Sequence, residues 1–296
     1  VVFTILRLSP NDPIRTILGD MATQEEVDAM REEMGLNDPF FTQLYNYIKN
    51  IITKGDFGVS YLTRKPVTEE IFSRFPTTLS LAVMSTVLDA LIGIPFGIIS
   101  AIRQYSVFDN VITVFSLIFL AMPAFWMGLM LIIIFSLNLR WLPASGWYGP
   151  EYWILPVVTI GTGCVAGIMR TTRSNMLEVI RQDYIRTARA KGLKENTIIM
   201  KHALRNALIP VVTLMGLQFG RQLSGVFVIE TIFAIPGMGK MLVDACSLKN
   251  IPIVQGGVIF IAVIYGVINL LVDIIYGFID PRISSIYRRK DVKKRA

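Results

Sequence analysis

Long apolar runs alternate with polar segments along most of the chain, at 79–102, 111–139, 153–169, 207–229 and 252–279. Each approaches or exceeds the ~20 residues a helix needs to cross a hydrocarbon core of about 30 Å. The pattern therefore predicts five complete membrane-spanning helices. An apolar stretch at 1–8 is too short to cross and reads as the end of an earlier, sixth span. Residues 9–77 have a different character. A charged helical stretch at 24–34 and an apolar-periodic one at 40–52 are followed by turn signals at 55–58 and Pro66. This segment is too long for a simple connector and predicts a small folded domain, either a lid over the bundle or a docking surface for a soluble partner.

Composition agrees: of 296 residues, 53% are hydrophobic and only 17% charged. The distribution of the 29 Lys and Arg residues orients the spans, because cytoplasmic loops carry the positive excess. One side receives 17 of them, from Arg103, the loop 170–206 and the tail 281–296; the other receives 10. Segment 9–77 also holds 11 acids and is net negative. The expected topology puts 9–77 outside, and the 170–206 loop and the C-terminus in the cytoplasm. Membrane topology accounts for the basic net charge of +7 without nucleic-acid binding.

Within the spans, Gly93/Gly97, Gly163/Gly167 and Gly216/Gly220 are pairs of small residues at helical spacing, which let helix backbones approach closely inside or between subunits. Pro95, Pro123 and Pro156 mark positions where a helix can kink. In the 170–206 loop, Asn175 has the spacing to cap a helix with Glu178, and Met176, Val179, Ile180 and Tyr184 recur at helical intervals. Gly192 supplies a break, and a second helix is expected from about Asn196 into the next span. Such a helix, glycine, helix element suits either a groove on a partner or the lipid surface.

The stretch Tyr184-Ile185-Arg186-Thr187-Ala188-Arg189-Ala190-Lys191-Gly192-Leu193, followed by His202-Ala203-Leu204-Arg205-Asn206-Ala207-Leu208-Ile209-Pro210, resembles the cytoplasmic coupling loop of the dipeptide/oligopeptide/nickel permeases, which are type I ABC importers. Further segments fall in the family's order: Gly55-Asp56-Phe57-Gly58, Arg74-Phe75-Pro76-Thr77-Thr78, Met122-Pro123-Ala124-Phe125-Trp126, Glu230-Thr231-Ile232-Phe233 with Pro236-Gly237-Met238-Gly239, and Asp280-Pro281-Arg282. Against the broader importer pattern of Glu-Ala-Ala, three residues and Gly, Ala188 and Gly192 match while Arg186 and Thr187 depart.

The resemblance implies an all-α type I ABC importer transmembrane bundle at 78–280, six spans in the parent chain, a small extracytoplasmic domain at 9–77 and a basic cytoplasmic tail. It implies a multi-pass protein of a bacterial or archaeal inner membrane that couples to ATPases through Tyr184 to Leu193. Its partners would be a second homologous permease, two ATPase subunits and an extracytoplasmic substrate-binding protein, within membrane lipid. Peptides, or nickel and metal chelates, would be the cargo, moved by alternating access.

The chain's own chemistry is sparse. The stretch 234–241 contains Gly239-Lys240 but has Ala234 and Met241 where a phosphate loop needs Gly and Ser or Thr, so ATP and magnesium are assigned to partner subunits. No cofactor or metal is expected in this chain: its single histidine, His202, and the distant Cys164 and Cys246 make no ligand cluster. Asp89 and Asp273 keep open an intramembrane enzyme, and a secondary transporter is the other rival. Gln218, Arg221, Gln222 and Gly225 share one helical face, as do Tyr265, Asn269, Asp273, Tyr276 and Asp280. These stripes predict either a water-accessible translocation path or buried hydrogen bonding between helices. Gln218, Arg221, Gln222, Tyr265, Asn269 and Asp273 are the candidate path residues.

Overall fold

A computed structural model describes residues 3–4, 13–19, 22–33 and 35–279. The tail 281–296, Asp280, the Tyr276 side chain and most of 1–8 lie outside the described residues.

Helices dominate. In chain order they are α1 (Pro13–Leu18), α2 (Gln24–Glu33), α3 (Phe40–Lys54), α4 (Val67–Ile102), α5 (Val107–Ala121), α6 (Ala124–Leu131), α7 (Glu151–Ile180), α8 (Asp183–Ala190), α9 (Glu195–Thr197), α10 (Leu204–Gly225), α11 (Phe227–Ile232), α12 (Met238–Ser247) and α13 (Ile251–Ile279). Two wider π-helical stretches, Ile132–Asn138 and Ile198–Ala203, continue α6 and lead into α10. The described residues contain an isolated antiparallel bridge, Val59 with Pro66, and no strand.

Among the described residues, four stretches are long and apolar enough to cross a membrane: Val67–Ile102, Glu151–Ile180, Glu195–Leu223 and Ile251–Ile275. The expected span at 111–139 differs: Val107–Ala121 and Ala124–Asn138 meet at a bend of 103°. Pro123 explains the break. It has no N–H for the helix ladder and forces the preceding residue out of the helical region, and Met122 is extended at φ −77°, ψ 127°. A second difference is that α7 runs unbroken to Ile180, so Asn175 lies inside a helix instead of capping one. The expected span 207–229 ends early, at Gly225, and Phe227–Ile232 forms a separate turn of helix.

The chain divides into two compact units, 1–79 with 226–264, and 80–225 with 265–296. In the first, Val67, Ile71, Met238, Ala245, Ile253 and Val254 form a core against Phe57, Phe75 and Phe260. Asn250 fastens the N-terminus of α13 by donating to Ser60 Oγ (2.8 Å) and accepting from the Tyr61 N–H (3.1 Å).

In the second unit α7 is central and packs on α5, α6 and α10. Two of the glycine pairs bring further helices close, α4 to α7 and α10 to α13. A Cβ on Gly97 would stand 2.7 Å from the Met169 carbonyl oxygen and 2.6 Å from Thr172 Cβ, and one on Gly93 would stand 2.8 Å from Ile168. Likewise a Cβ on Gly216 would stand 2.5 Å from Val272. These approaches occur within one chain; Gly163 has nothing within 4 Å.

Candidate functional site: the helix, glycine, helix element and the buried carboxylates

The loop after α7 forms the expected helix, glycine, helix element. Gln182 precedes α8 in an extended conformation, and Asp183 places an acid in the first turn, where the helix dipole favours it. The helix ends in a Schellman-type turn: the Gly192 N–H donates to Arg189 O (2.9 Å) and the Leu193 N–H to Ala188 O (3.4 Å), with Gly192 at φ +75°. Nothing lies within 4 Å of a Cβ placed there, so the requirement for glycine is conformational, not steric crowding.

The faces of α8 are sharply divided. Ile185 and Ala188 are buried in a cluster with Ile98, Ala101, Met176, Ile198, Ile199, Ala203 and Ala207, contributed by α4, α7, α10 and the π-helical stretch. Tyr184, Arg186, Thr187, Arg189, Ala190, Lys191, Gly192 and Leu193 are exposed. Across the glycine, Arg189 grips Glu195 in bidentate fashion, Nη2 to Oε1 at 2.6 Å and Nε to Oε2 at 3.1 Å. That hydrogen-bonded carboxylate pushes the Arg189 guanidinium further above its already high pKa. Asn206 Nδ2 donates to Tyr184 Oη (2.8 Å) and joins α8 to α10. The result is a small basic and aromatic outer face on a rigidly seated helix.

Interleaved with this seat is a buried ion pair. Arg173 donates from Nε and Nη2 to the two oxygens of Asp109, both at 2.8 Å. Asp109 also accepts from the Ser100 hydroxyl and from the Tyr105 N–H (2.9 Å). Ser100 lies between the seat residues Ile98 and Ala101, and Arg173 is three residues before Met176. The pair thus pins the ends of α4, α5 and α7 where they receive α8. Sequence reading missed it; its one local sign was Ser106, whose side chain accepts from the Asp109 N–H at the start of α5.

A second buried carboxylate occupies the other unit. Glu230 accepts from Thr78 Oγ1 (2.6 Å) and from the Lys240 N–H (2.9 Å), while Thr78 Oγ1 accepts from the Met238 N–H (2.8 Å). Thr78 and Glu230 together cap α12, whose own N-cap residue, Gly237, has no side chain to do so. Burial pushes the Glu230 carboxyl above the ordinary carboxylate range, and the hydrogen bonds from Thr78 and the α12 backbone oppose this only in part.

Comparison with known proteins then decides the class. A family model described as "Binding-protein-dependent transport system inner membrane component" matches residues 93–285, and a model for the N-terminal part of the same membrane component matches residues 1–82. The chain belongs to this family. It is a permease subunit of a binding-protein-dependent importer.

The permease is 43% identical to the oligopeptide transport system permease protein AppB of Bacillus subtilis, over 95% of this chain and 92% of that protein. It is 40% identical to the dipeptide transport system permease protein DppB of Alkalihalophilus pseudofirmus, over 96% and 93%. The same identity relates it to the glutathione transport system permease protein GsiC of Escherichia coli K12, over 96% and 92%. Among solved structures it resembles an inward-facing form of the MetNI methionine ABC transporter, with a TM-score of 0.59, 16% identity, and coverage of 72% of this chain and 97% of that one. The fold is that of the type I ABC importer permeases.

The permease's predicted path residues separate by environment. Gln218 and Gln222 are buried inside the chain, whereas Arg221 between them is exposed. Gln222 Nε2 donates to Asp89 Oδ2 (3.3 Å) and lies 3.6 Å from Cys164 Sγ, while its Oε1 accepts from Thr86 (3.3 Å). It therefore joins α4, α7 and α10. Tyr265 is half-buried against Gly220, Asn269 is half-buried, and Asp273 is exposed. No cluster of three or more metal-ligating side chains occurs among the described residues.

Proposed function

We propose that the permease pairs with a second, similar permease, sits on two ATPase subunits through Tyr184 to Leu193, and conducts di- and oligopeptides released by an extracytoplasmic binding protein. The observation that carries this reading is the coupling element: α8 presents Tyr184, Arg186, Arg189 and Lys191 outward while Ile185 and Ala188 anchor it in the bundle. A partner that pulls on the exposed face moves the helices that share the anchor cluster, because close-packed side chains transmit displacement with little give. ATP and magnesium belong to the ATPase subunits in this scheme. Peptide cargo is supported by the relatives, named for oligopeptide, dipeptide and glutathione transport.

In the same scheme 9–77 is extracytoplasmic, and the 170–206 loop and the C-terminal tail are cytoplasmic. Arg221 and Asp273, exposed within apolar helices, face the pathway with Tyr265 and Asn269, and the buried Gln218 and Gln222 hold the wall behind them. Such weak polar contacts suit passage, since a tight site would release slowly.

Gly192→Val in the reconstituted importer tests the coupling role. A β-branched residue at φ +75° is strained whatever the space around it. The expected outcome is normal membrane insertion with at least a tenfold loss of peptide-stimulated ATP hydrolysis, and a milder loss for Gly192→Asn. Unchanged stimulation in the valine variant would remove α8 from the coupling pathway.

A further inference from the structure

The helix α3 has two apolar rows. At 100° per residue, Phe40, Leu44, Tyr47 and Ile51 form one row, and Phe41, Tyr45, Ile48 and Ile52 form the next, the latter within about 60° of arc. Protein covers the first row: Leu44, Tyr47 and Ile51 are half-buried, and Phe3 packs its ring 5.4 Å from Phe40 and 5.8 Å from Tyr47. The second row is open, with Phe41 79%, Tyr45 65%, Ile48 46% and Ile52 77% exposed. Four large apolar side chains in register on one helix form a continuous patch, not the scattered exposure common on soluble surfaces.

We propose that this row is immersed in the outer leaflet of the membrane, so that α3 is an interfacial helix lying along the lipid boundary. Three observations select lipid as the occupant. The first is position: Tyr47 Oη lies beside the Gln255 side chain, one turn into the membrane-crossing helix α13, and Gly58, just after α3, approaches Pro252 at the head of that helix. The helix is therefore held at the level where a span begins. The second is chemistry. The exposed row joins a phenylalanine and a tyrosine to two isoleucines, the mixture of apolar body and polar tip that suits the headgroup boundary. The third is charge: α3 carries Lys49 and Lys54 and no acid, in a segment 9–77 that holds 11 acids elsewhere. Lysines beside an apolar row complement lipid phosphates and lengthen the reach of the helix into the boundary.

The consequence concerns the whole outer domain. A helix that floats on the leaflet fixes the height and tilt of the segment joined to it, leaving only the faces away from the membrane free for a soluble partner. This conclusion does not depend on which substrate is carried.

Single nitroxide labels at 41, 45, 48 and 52, and at 42, 46, 49 and 53, test the proposal. They are placed in the full permease with Cys164 and Cys246 replaced by serine, within the importer reconstituted in vesicles of phosphatidylethanolamine and phosphatidylglycerol at 3:1. Oxygen, which partitions into lipid, and a water-soluble nickel chelate are the two relaxing agents. We expect the ratio of oxygen to nickel accessibility to be at least about fivefold higher at 41, 45, 48 and 52 than at 42, 46, 49 and 53, before any binding protein is added. Equal ratios in the two sets would overturn the proposal. So would labels at 41, 45, 48 and 52 that are open to nickel in vesicles and become shielded only on adding the binding protein. Low accessibility to both agents at those four positions would assign the row to protein contact within the importer and would also overturn it. Eight separate sites prevent one misfolded variant from deciding the result.

Discussion

Asp109 and Glu230 are both carboxylates withdrawn from water, in different units of the permease, and they are satisfied by opposite means. Asp109 is neutralised by another side chain, the guanidinium of Arg173, with Ser100 and Tyr105 completing its shell. Glu230 instead accepts from a threonine hydroxyl and from a backbone N–H at the start of α12. The first arrangement ties three helices through a movable charge, so either partner can be removed or exchanged. The second ties one side chain to a hydroxyl and to a backbone donor that only a proline substitution deletes. An ion pair belongs at a joint that must stay in register under load; a backbone cap belongs where a turn must keep its shape.

The largest expected effect comes from stripping the cation. Asp109 is 2% exposed and Arg173 28%, so Arg173→Gln leaves a nearly dry carboxylate uncompensated, at a cost of about 3 kcal/mol. Thermal unfolding of the solubilised permease should show it, and adding Asp109→Asn should recover more than half of the loss. Absence of rescue would mean that geometry, not charge, holds the joint.

Glu230→Ala comes next, at about 2 kcal/mol, because the Lys240 N–H and the Thr78 hydroxyl lose their acceptor in a buried site. Glu230 adds a pH dependence of definite sign. Its pKa is raised in the folded state, so the native form holds the proton more tightly than the unfolded chain. The contribution is full below the ordinary glutamate pKa, about 4.3, and is lost as pH rises through the raised value. Glu230→Gln should flatten that slope in unfolding measured between pH 4.5 and 8. A slope identical to that of the parent protein would show that the group is already ionised without penalty.

The smallest effect sharpens the comparison. Arg189 and Glu195 have the same bidentate geometry as Asp109 and Arg173, but their side chains are 41% and 54% exposed. Arg189→Gln should cost under about 1 kcal/mol, and raised salt should erase the difference. A cost matching that of Arg173→Gln would show that geometry outweighs burial in this protein.

The break at Gly192 was legible because its signal is local: a glycine that tolerates positive φ. The Asn175 cap was a local signal that packing overrode. Met176 is buried in the anchor cluster, and α7 continues through that position to keep it there. The bend at Met122 and Pro123 was hidden inside an apolar run, since hydropathy averages over a proline that the backbone cannot ignore. Gln218, Arg221 and Gln222 lie on one helix, but the structure buries the two glutamines and leaves Arg221 exposed. Which members pointed inward depended on Asp89 and Thr86, more than a hundred residues away.

By itself the sequence determined that the chain is a helical membrane protein, where most of its long apolar helices lie, and where a glycine ends the helix Asp183–Ala190. Each of these is a property of a short window, set by periodicity, backbone preference or transfer from water. The tertiary structure alone decided that Asp109 meets Arg173 across 64 residues and that Thr78 meets Glu230 across 152. It also decided which of two adjacent apolar rows on α3 is left uncovered. These depend on the register between elements, which many distant contacts set together and no window of sequence contains.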